Sequence, residues 1–596
     1  MASALRDPVV EESPVWRQSP FDAATAAALA RELVSAQDMA VDVAESCAIL
    51  LCQRGITDAA EASIFLQPSL GGLSAPEDIP DMDRAVARIR RALAAGERIW
   101  IYGDYDVDGV SATALLAEAF RQLGARADVY IPDRLVEGYG LNAKAVREIA
   151  ARGAQLLITV DGGSNDFEEL ALARQLGMDV VVTDHHPIRN MPLPAAVAIV
   201  HPGRPDYPTA SAALSGVGVA YKLVWALGKS FSSTNHVSES YRAFMMSALC
   251  YVALGTVADV VPLVGENRVL VHYGLRAFSH TNNPGLRALK DVAGIGDRPL
   301  LASDIAFKLA PILNAAGRLG DARRALELLV CRDAAQATIL ARSLVATNQE
   351  RRRIEDGMLL AARAQIDELR LIETATWAGS PLVVAGVDWH SGIAGIVAAR
   401  LVDLHRRPVF VIALRDGLGR GSARSPDCFS LASYYDALRD IVEDVGGHDQ
   451  AGGITVLPER IDALRRRLNE HDGGRAAVRA SDALQYDLPL ELEAAAKLSP
   501  WLDRLAPYGR ANPVPRFYCA GLRLVGGLRL VGKHEEHLSF RVESARGAQM
   551  RAIYFRGAKH ATRLTLERRP LSMLAELQQN TFNGVTSAEL RVVELG

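Results

Sequence analysis

Ile99-Trp100-Ile101-Tyr102-Gly103-Asp104-Tyr105-Asp106-Val107-Asp108-Gly109 is the stretch on which the fold turns. Its apolar start reads as a buried strand, and the run Val110 to Phe120 that follows reads as a helix. A strand that enters a helix through an acidic, glycine-flanked turn places that turn at the ligand-binding edge of an open α/β sheet. Asp104, Asp106 and Asp108 repel one another, and a hard divalent cation is the usual remedy for such crowding. Taken alone, the stretch also admits a plainer reading, aspartates capping the positive end of a helix.

Working outward, the strand-then-helix pattern recurs. Gln155 to Val160, Val180 to Thr183 and Ala198 to Val200 are short, apolar and rich in β-branched residues, which predicts a parallel sheet covered on both faces. These runs end in Asp161-Gly162-Gly163, Asp184-His185-His186-Pro187 and His201-Pro202, so acidic and imidazole groups gather at one sheet edge. Asp259 sits in the apolar segment Gly255 to Leu263, where a carboxylate is either desolvated at a cost of several kcal/mol or paired with a cation. His201 reads equally well as a neighbour of this site and as a structural histidine.

At 596 residues the chain exceeds a single core, and roughly three or four domains are expected. Its net charge of −4 advertises no global basic field, yet a local arginine-lined groove remains compatible with a nucleic-acid partner. Six cysteines without a C-x-x-C pair point to a reduced, cytoplasmic protein without a disulfide framework. No apolar run approaches the ~18 residues of a membrane span, and no signal core opens the chain.

The ordered set GDYDVDGVSATALL (103–116), DGG (161–163), TDHHP (183–187) and ALGTVADVVPL (253–263) closely resembles the DHH phosphoesterase family. The resemblance extends through LVEGYGLN (135–142), LSGVGVAYKL (214–223), LAPILNAAGRLGDA (309–322), VAGVDWHSGIAGIVAARL (384–401) and VGGHDQAGG (445–453). One departure is Gly162, where the family usually has cysteine. The resemblance implies a two-metal site built from Asp106, Asp108, Asp161, His185, His186 and Asp259, with Asp104 and Asp184 orienting ligands or holding water. Carboxylates with imidazole favour manganese or magnesium over zinc.

It also implies exonuclease action on single-stranded DNA with 5′ to 3′ polarity, in repair and recombination, with single-strand-binding protein or a helicase as partners. Phosphodiester hydrolysis of short oligoribonucleotides or cyclic dinucleotides, and non-catalytic nucleic-acid binding, are the alternatives. The expected architecture is an N-terminal helical extension (1–80), a parallel-sheet α/β catalytic domain (81–275) and a helical connector (276–375). A smaller α/β DHH-associated domain (376–480) and a C-terminal β-barrel of OB type (481–596) complete it.

Substrate-holding candidates lie outside the metal motifs. Arg318 ends the small-residue run 314–318 and can reach a phosphate. Ser422 and Arg424 lie in the glycine-rich segment 419–425, expected to be a turn, and Gly446, Gly447 and His448 form another. Short strand-like pieces at 517–520, 522–525 and 528–531 open the barrel, for which Arg551, Tyr554, Phe555 and Arg556 are candidate DNA-binding residues. Ala322 to Arg370 reads as one long solvated helix, and the run Ser230 to Glu239 as a polar surface insertion.

Overall fold

The computed structural model describes residues 16–596 apart from 139, 190, 233–235, 373–379, 428, 471–483, 567–569 and 583–584. Cys428, the core of the expected insertion and the expected boundary at 480/481 therefore lie outside the described residues. The chain forms two compact units, one of residues 74–261 and 273–480, the other of residues 1–73, 262–272 and 481–596.

The first unit carries a five-stranded parallel sheet in the order Ala127–Tyr130, Ile99–Gly103, Leu156–Val160, Asp179–Thr183, Ala198–Val200. Ile99–Gly103 and Leu156–Val160 are buried throughout, as continuous apolar strands in the middle of a parallel sheet must be. Ala127–Tyr130 was not among the expected strands, because it lies at the sheet edge, half exposed, and its Ala-Asp-Val-Tyr sequence is correspondingly mixed.

Helices Val107–Gln122, Gly216–Ser230 and Glu239–Ala258 pack together in this unit. Glu239–Ala258 corrects the expectation of no span-like run, since it is long and apolar enough to cross a membrane. Its most apolar window is 67% buried inside the protein, which accounts for that composition.

The same unit holds a second five-stranded sheet, ordered Asp444–Gly447, Ala451–Val456, Leu418–Arg424, Val409–Arg415, Leu382–Val387. Only the last pair is parallel, joined through helix Ser391–His405. Residues 418–424 are thus a central strand rather than a turn. Glycine is needed there for clearance, since a Cβ on Gly421 would lie 2.6 Å from the Val411 carbonyl oxygen. The expected long helix is also two, Arg323–Val330 and Ala334–Ile372, and Asp333 starts the second by accepting from Gln336 N at 2.7 Å.

In the second unit, strand Arg516–Val531 pairs with both His537–Glu543 and Leu571–Phe582, and Gln549–Tyr554 and Val585–Leu595 complete the ring. Five strands therefore close into a barrel, and short Leu488–Pro489 adds a sixth beside Arg516–Val531. The three strand pieces expected over 517–531 are one strand of 16 residues, bent where Gly521 and Gly526 adopt φ of 66° and 72°.

Helices Ala23–Gln37, Val41–Cys52 and Ala59–Leu66 share their core with this barrel and with helix Leu492–Leu505. Arg268, 2% exposed, ties that core together by donating to the carbonyls of Phe65, Arg504 and Leu505 at helix C-termini.

Candidate metal centre

The acidic turn is assembled by helix capping. Asp106 Oδ1 accepts from the amides of Asp108 (2.9 Å) and Gly109 (3.1 Å), which starts helix Val107–Gln122 and carries Asp108 into its first turn. Capping and cation binding, which the sequence left as rivals, are compatible, since the capping residue also lies in a set of potential ligand atoms with Asp104 and Asp161. Asp108, 1% exposed, caps a second helix: its Oδ2 accepts from Gly216 N at 2.7 Å and its Oδ1 from Val217 N at 3.0 Å.

Asp161 leaves strand Leu156–Val160 with φ of 61°, a left-handed conformation uncommon outside glycine. The strain is held by Asp161 N donating to Thr183 O at 3.0 Å and Thr159 Oγ1 donating to Gly162 O at 2.7 Å.

Asp184 is already saturated. Its Oδ1 meets His185 N (2.7 Å), His186 N (3.0 Å) and His186 Nδ1 (2.9 Å), while its Oδ2 accepts from Ser164 N (3.0 Å) and Ser164 Oγ (2.5 Å). It orients both histidines, and with Nδ1 of His186 donating to it, Nε2 is the nitrogen that would offer a lone pair once the ring has lost its second proton. His201, 1% exposed, supports the same turn: Gly203 N donates to its Nδ1, and its Nε2 then donates to His186 O at 2.8 Å.

The remaining groups converge. His185 Nε2 lies 3.1 Å from Asp161 Oδ1, 3.6 Å from Asp259 Oδ2 and 3.8 Å from Asp108 Oδ2. Three sets of potential ligand atoms each fall within 4.8 Å: Asp161, His185 and His186; Asp108, His185 and Asp259; Asp104, Asp106 and Asp161. Asp161 and His185 each belong to two sets, as shared ligands of paired cations would.

Asp104 Oδ1, Asp161 Oδ1 and His185 Nε2 are buried without a hydrogen-bond partner. Such atoms are costly unless something outside the chain completes them. Burial, then the neighbouring aspartates, raises the carboxyls of Asp104, Asp108 and Asp161 well above their ordinary range. Burial and then His186 lower His185 to about 4, so its ring is neutral and can ligate. Burial would lower His186 too, but the Asp184 hydrogen bond and the charges of Asp184, Asp259 and Asp104 together outweigh it and raise the ring to about 9. This oxygen and imidazole donor set, with no thiolate, fits manganese or magnesium.

Glycines make the clearance, a role the motifs did not disclose. A Cβ on Gly216 would lie 2.4 Å from Asp161 Oδ1, and one on Gly255 would lie 2.4 Å from Asp108 Oδ1.

Arg318 belongs to an arginine cluster in the same unit. Burial, then Arg134, Arg351 and Arg424, lowers it to about 10, and its guanidinium makes no hydrogen bond or ion pair among the described residues. Arg134, which sequence reading missed, lies 5.0 Å from the centre of the Tyr105 ring and depresses Arg424 as well. Its one legible signal was a place inside the run 131–142, next to a recognised motif. Arg351, expected on a solvated helix, is instead 8% exposed, donates to Asn348 Oδ1 at 2.6 Å and is ion-paired with Glu355, while Arg352 and Arg353 are exposed. Arg134, Arg318 and Arg424, half-buried cations near one another without a carboxylate partner among the described residues, call for an anion.

Ser422 and Arg424 sit together on strand Leu418–Arg424, both reaching the start of helix Ser391–His405 beside Gly395. Gly446 and Gly447 belong to a strand rather than a turn, and His448 lies exposed just beyond it with no hydrogen bond or ion pair from its ring among the described residues. In the barrel, Arg551 pairs with Glu589 at 3.3 Å. Of the two aromatics expected to stack on bases, Tyr554 is a core residue 9% exposed, and only Phe555, 47% exposed, presents a ring to solvent. Arg591 lies over the Phe555 ring at 5.6 Å.

Three family models match in this order: the DHH family N-terminal domain at residues 98–255, the DHHA1 domain at 379–471 and the RecJ OB domain at 486–594. Single-stranded-DNA-specific exonuclease RecJ of Dickeya dadantii is 38% identical over 519 residues, covering 84% of this chain and 87% of the relative. The RecJ of Escherichia coli is 34% identical over 532 residues, covering 87% and 90%.

The crystal structure of Thermus thermophilus RecJ in complex with Mn2+ superposes with a TM-score of 0.76 at 29% identity, over 98% of this chain and 79% of that one. The Mg2+ complex from the same organism gives 0.71 at 28% identity, over 98% and 78%. With the motifs, the domain order and the backbone all in agreement over nearly its full length, the chain belongs to the RecJ family of DHH proteins.

Proposed function

We propose that this chain is a divalent-metal-dependent exonuclease that hydrolyses single-stranded DNA to nucleotides, working 5′ to 3′, in repair and recombination. The observation that carries the reading is a buried set of carboxylate and imidazole atoms without partners, in the same unit as three arginines, Arg134, Arg318 and Arg424, that have no carboxylate partner among the described residues. The relatives bear this activity in their names, and the Thermus thermophilus protein has been crystallised with manganese and with magnesium.

In this reading Asp106, Asp108, Asp161, His185, His186 and Asp259 hold the cations, and Asp104 is close enough to Asp106 and Asp161 to join them. Two such ions supply a nucleophile at neutral pH and neutralise charge on the phosphoryl and leaving oxygens. The chain's own work is orientation: Asp184 fixes the ring of His186, Ser164 fixes Asp184, and the amides of Gly216 and Val217 fix Asp108. Arg134, Arg318, Ser422 and Arg424 grip phosphate, and Gly446, Gly447 and His448 belong to the same domain's substrate-holding surface. Arg551 and Phe555 are the barrel's own candidates for contact with the strand. A cytoplasmic setting, and single-strand-binding or helicase partners, accord with this role.

The test is digestion of end-labelled DNA with manganese or with EDTA. Single strands shortened only when manganese is present support the reading. Equal action on duplex, or preference for short oligoribonucleotides, overturns it.

A further inference from the structure

The segment that leaves strand Ala127–Tyr130 closes on itself around one carboxylate. Glu137 Oε1 accepts from Tyr130 Oη at 2.7 Å, and its Oε2 accepts from Asp133 N at 2.7 Å. Glu137 N in turn donates to Asp133 O at 2.7 Å, while Asp133 Oδ1 accepts from Leu135 N at 2.8 Å. Tyr130 is itself fixed, stacked on Tyr102 with ring centres 5.5 Å apart and planes 7° from parallel. Residues 133–137 are therefore a tight turn tied to the sheet through Glu137, and this turn carries Arg134.

Arg134 depends on that support. Among the described residues its guanidinium makes no hydrogen bond or ion pair, and it lies 5.0 Å from the centre of the Tyr105 ring. Burial first, and then Arg134, lowers both Arg318 and Arg424, so the three cations repel one another. A long side chain repelled by two others, and anchored by no hydrogen bond of its own, keeps its place only if its backbone is held. The charge of Glu137 cannot be its purpose, because a carboxylate beside phosphate-holding arginines opposes a polyanion. Its hydrogen bonds explain it instead.

We propose that Glu137 is a positioning residue for the reaction: by closing the turn 133–137 onto Tyr130, it holds Arg134 toward the phosphate that Arg318 and Arg424 also face. This rests on the single-strand exonuclease reading and adds to it a residue that acts on the substrate through Arg134.

The test is a double-mutant cycle read on a single-stranded decanucleotide with manganese. Glu137→Ala removes both acceptor oxygens, whereas Glu137→Gln removes the same charge but keeps an oxygen for Asp133 N and an amide that can donate to Tyr130 Oη. Charge alone would lower KM equally in both. Positioning predicts instead that KM rises about tenfold in Glu137→Ala, with kcat within about threefold of wild type, and stays within about twofold of wild type in Glu137→Gln. In an Arg134→Ala background, adding Glu137→Ala should change KM by less than about twofold, since the residue through which Glu137 acts is gone. Tyr130→Phe keeps the stack and deletes one of the two bonds, so it repeats the cycle with a rise of about threefold and decides the matter should Glu137→Ala fail to fold.

In a second arm, the dissociation constant of a 3′-fluorescein decanucleotide is measured by anisotropy with calcium in place of manganese. Glu137→Ala should flatten the dependence of log affinity on log salt by up to about 0.7, as loss of one phosphate contact does, and Glu137→Gln should not. A KM unchanged or lowered in Glu137→Ala, equal effects of the Ala and Gln variants, or an effect that persists in full beside Arg134→Ala overturns the positioning role. Wild-type protein that binds the strand but leaves it uncut overturns the exonuclease reading, while the same cycle in dissociation constants still decides the role of Glu137.

Discussion

His185 Nε2 and Asp161 Oδ1 lie 3.1 Å apart, both buried, and neither makes a hydrogen bond. Without cations, the pair and the aspartates around it form a destabilised cluster. Asp161→Asn removes one of the repelling charges, so the metal-free variant should melt a few degrees above wild type, since about 1 kcal/mol shifts Tm by several degrees or less. The same change should shrink the manganese-induced rise in Tm and lower kcat at least about a hundredfold. Calorimetry with and without manganese checks both. A variant that binds manganese and turns over as wild type removes Asp161 from the ligand set.

The pH dependence of the metal-free protein follows from the same cluster. Burial, then neighbouring aspartates, raises Asp104, Asp108 and Asp161 above 3.8, so their contribution is fully present below 3.8 and lost as pH rises through the raised values. Against the opposing effect of burial, the Asp184 hydrogen bond and the charges of Asp184, Asp259 and Asp104 raise His186 from 6.5 to about 9, and its contribution is lost as pH climbs through about 9. His185, lowered from 6.5 to about 4 by burial and then His186, has given its full stabilisation by 6.5. Between 6.5 and about 9 these groups therefore predict a falling Tm in EDTA, flattened by manganese. A Tm in EDTA that rises across that window contradicts the cluster's electrostatics.

Gly216→Ala tests clearance rather than chemistry. The added methyl would lie 2.4 Å from Asp161 Oδ1 while the Gly216 amide still serves Asp108. Helix Gly216–Ser230 should persist, because alanine suits a helix better than glycine. Activity should fall about a hundredfold with weakened manganese binding and an unchanged far-ultraviolet circular dichroism spectrum. Wild-type metal affinity would mean that the helix can shift at no cost to the site.

Arg318→Ala and Arg134→Ala should raise KM while leaving manganese stoichiometry intact, since these side chains are proposed to grip phosphate rather than cation. For a single strand, removing one arginine–phosphate pairing should flatten the dependence of log affinity on log salt by about 0.7. An unchanged slope in both variants would assign the arginines to packing.

In the barrel, adjacent aromatics should behave oppositely. Tyr554→Ala opens the shared core and should cost about 3–5 kcal/mol of stability, as large aromatic truncations do. Phe555→Ala should change stability by less than about 0.5 kcal/mol and weaken binding of long single strands instead. Denaturant melts together with fluorescence anisotropy separate the two outcomes.

How much of this was legible in the chain follows from the range of each interaction. Apolar runs and the polar residues that end them are local, so the strands at Ile99, Leu156, Asp179 and Ala198 and the acids and histidines at their ends could be read directly. So could the donor chemistry that selects manganese or magnesium. The half-polar edge strand Ala127–Tyr130 escaped because periodicity weakens where one face is wet.

Only the tertiary structure decided which groups meet. Asp161 and His185 converge through parallel pairing of their strands, Asp184 is withdrawn from ligation by Ser164, and Gly216 and Gly255 matter for the space beside carboxylates far along the chain. Arg134 joins Arg318 and Arg424 across nearly two hundred residues and more, and helices near the N-terminus share a core with a barrel near the C-terminus. The physical reason is common to all of them: strand and helix tendencies belong to neighbours in sequence, whereas clearance, charge repulsion and core sharing belong to neighbours in space.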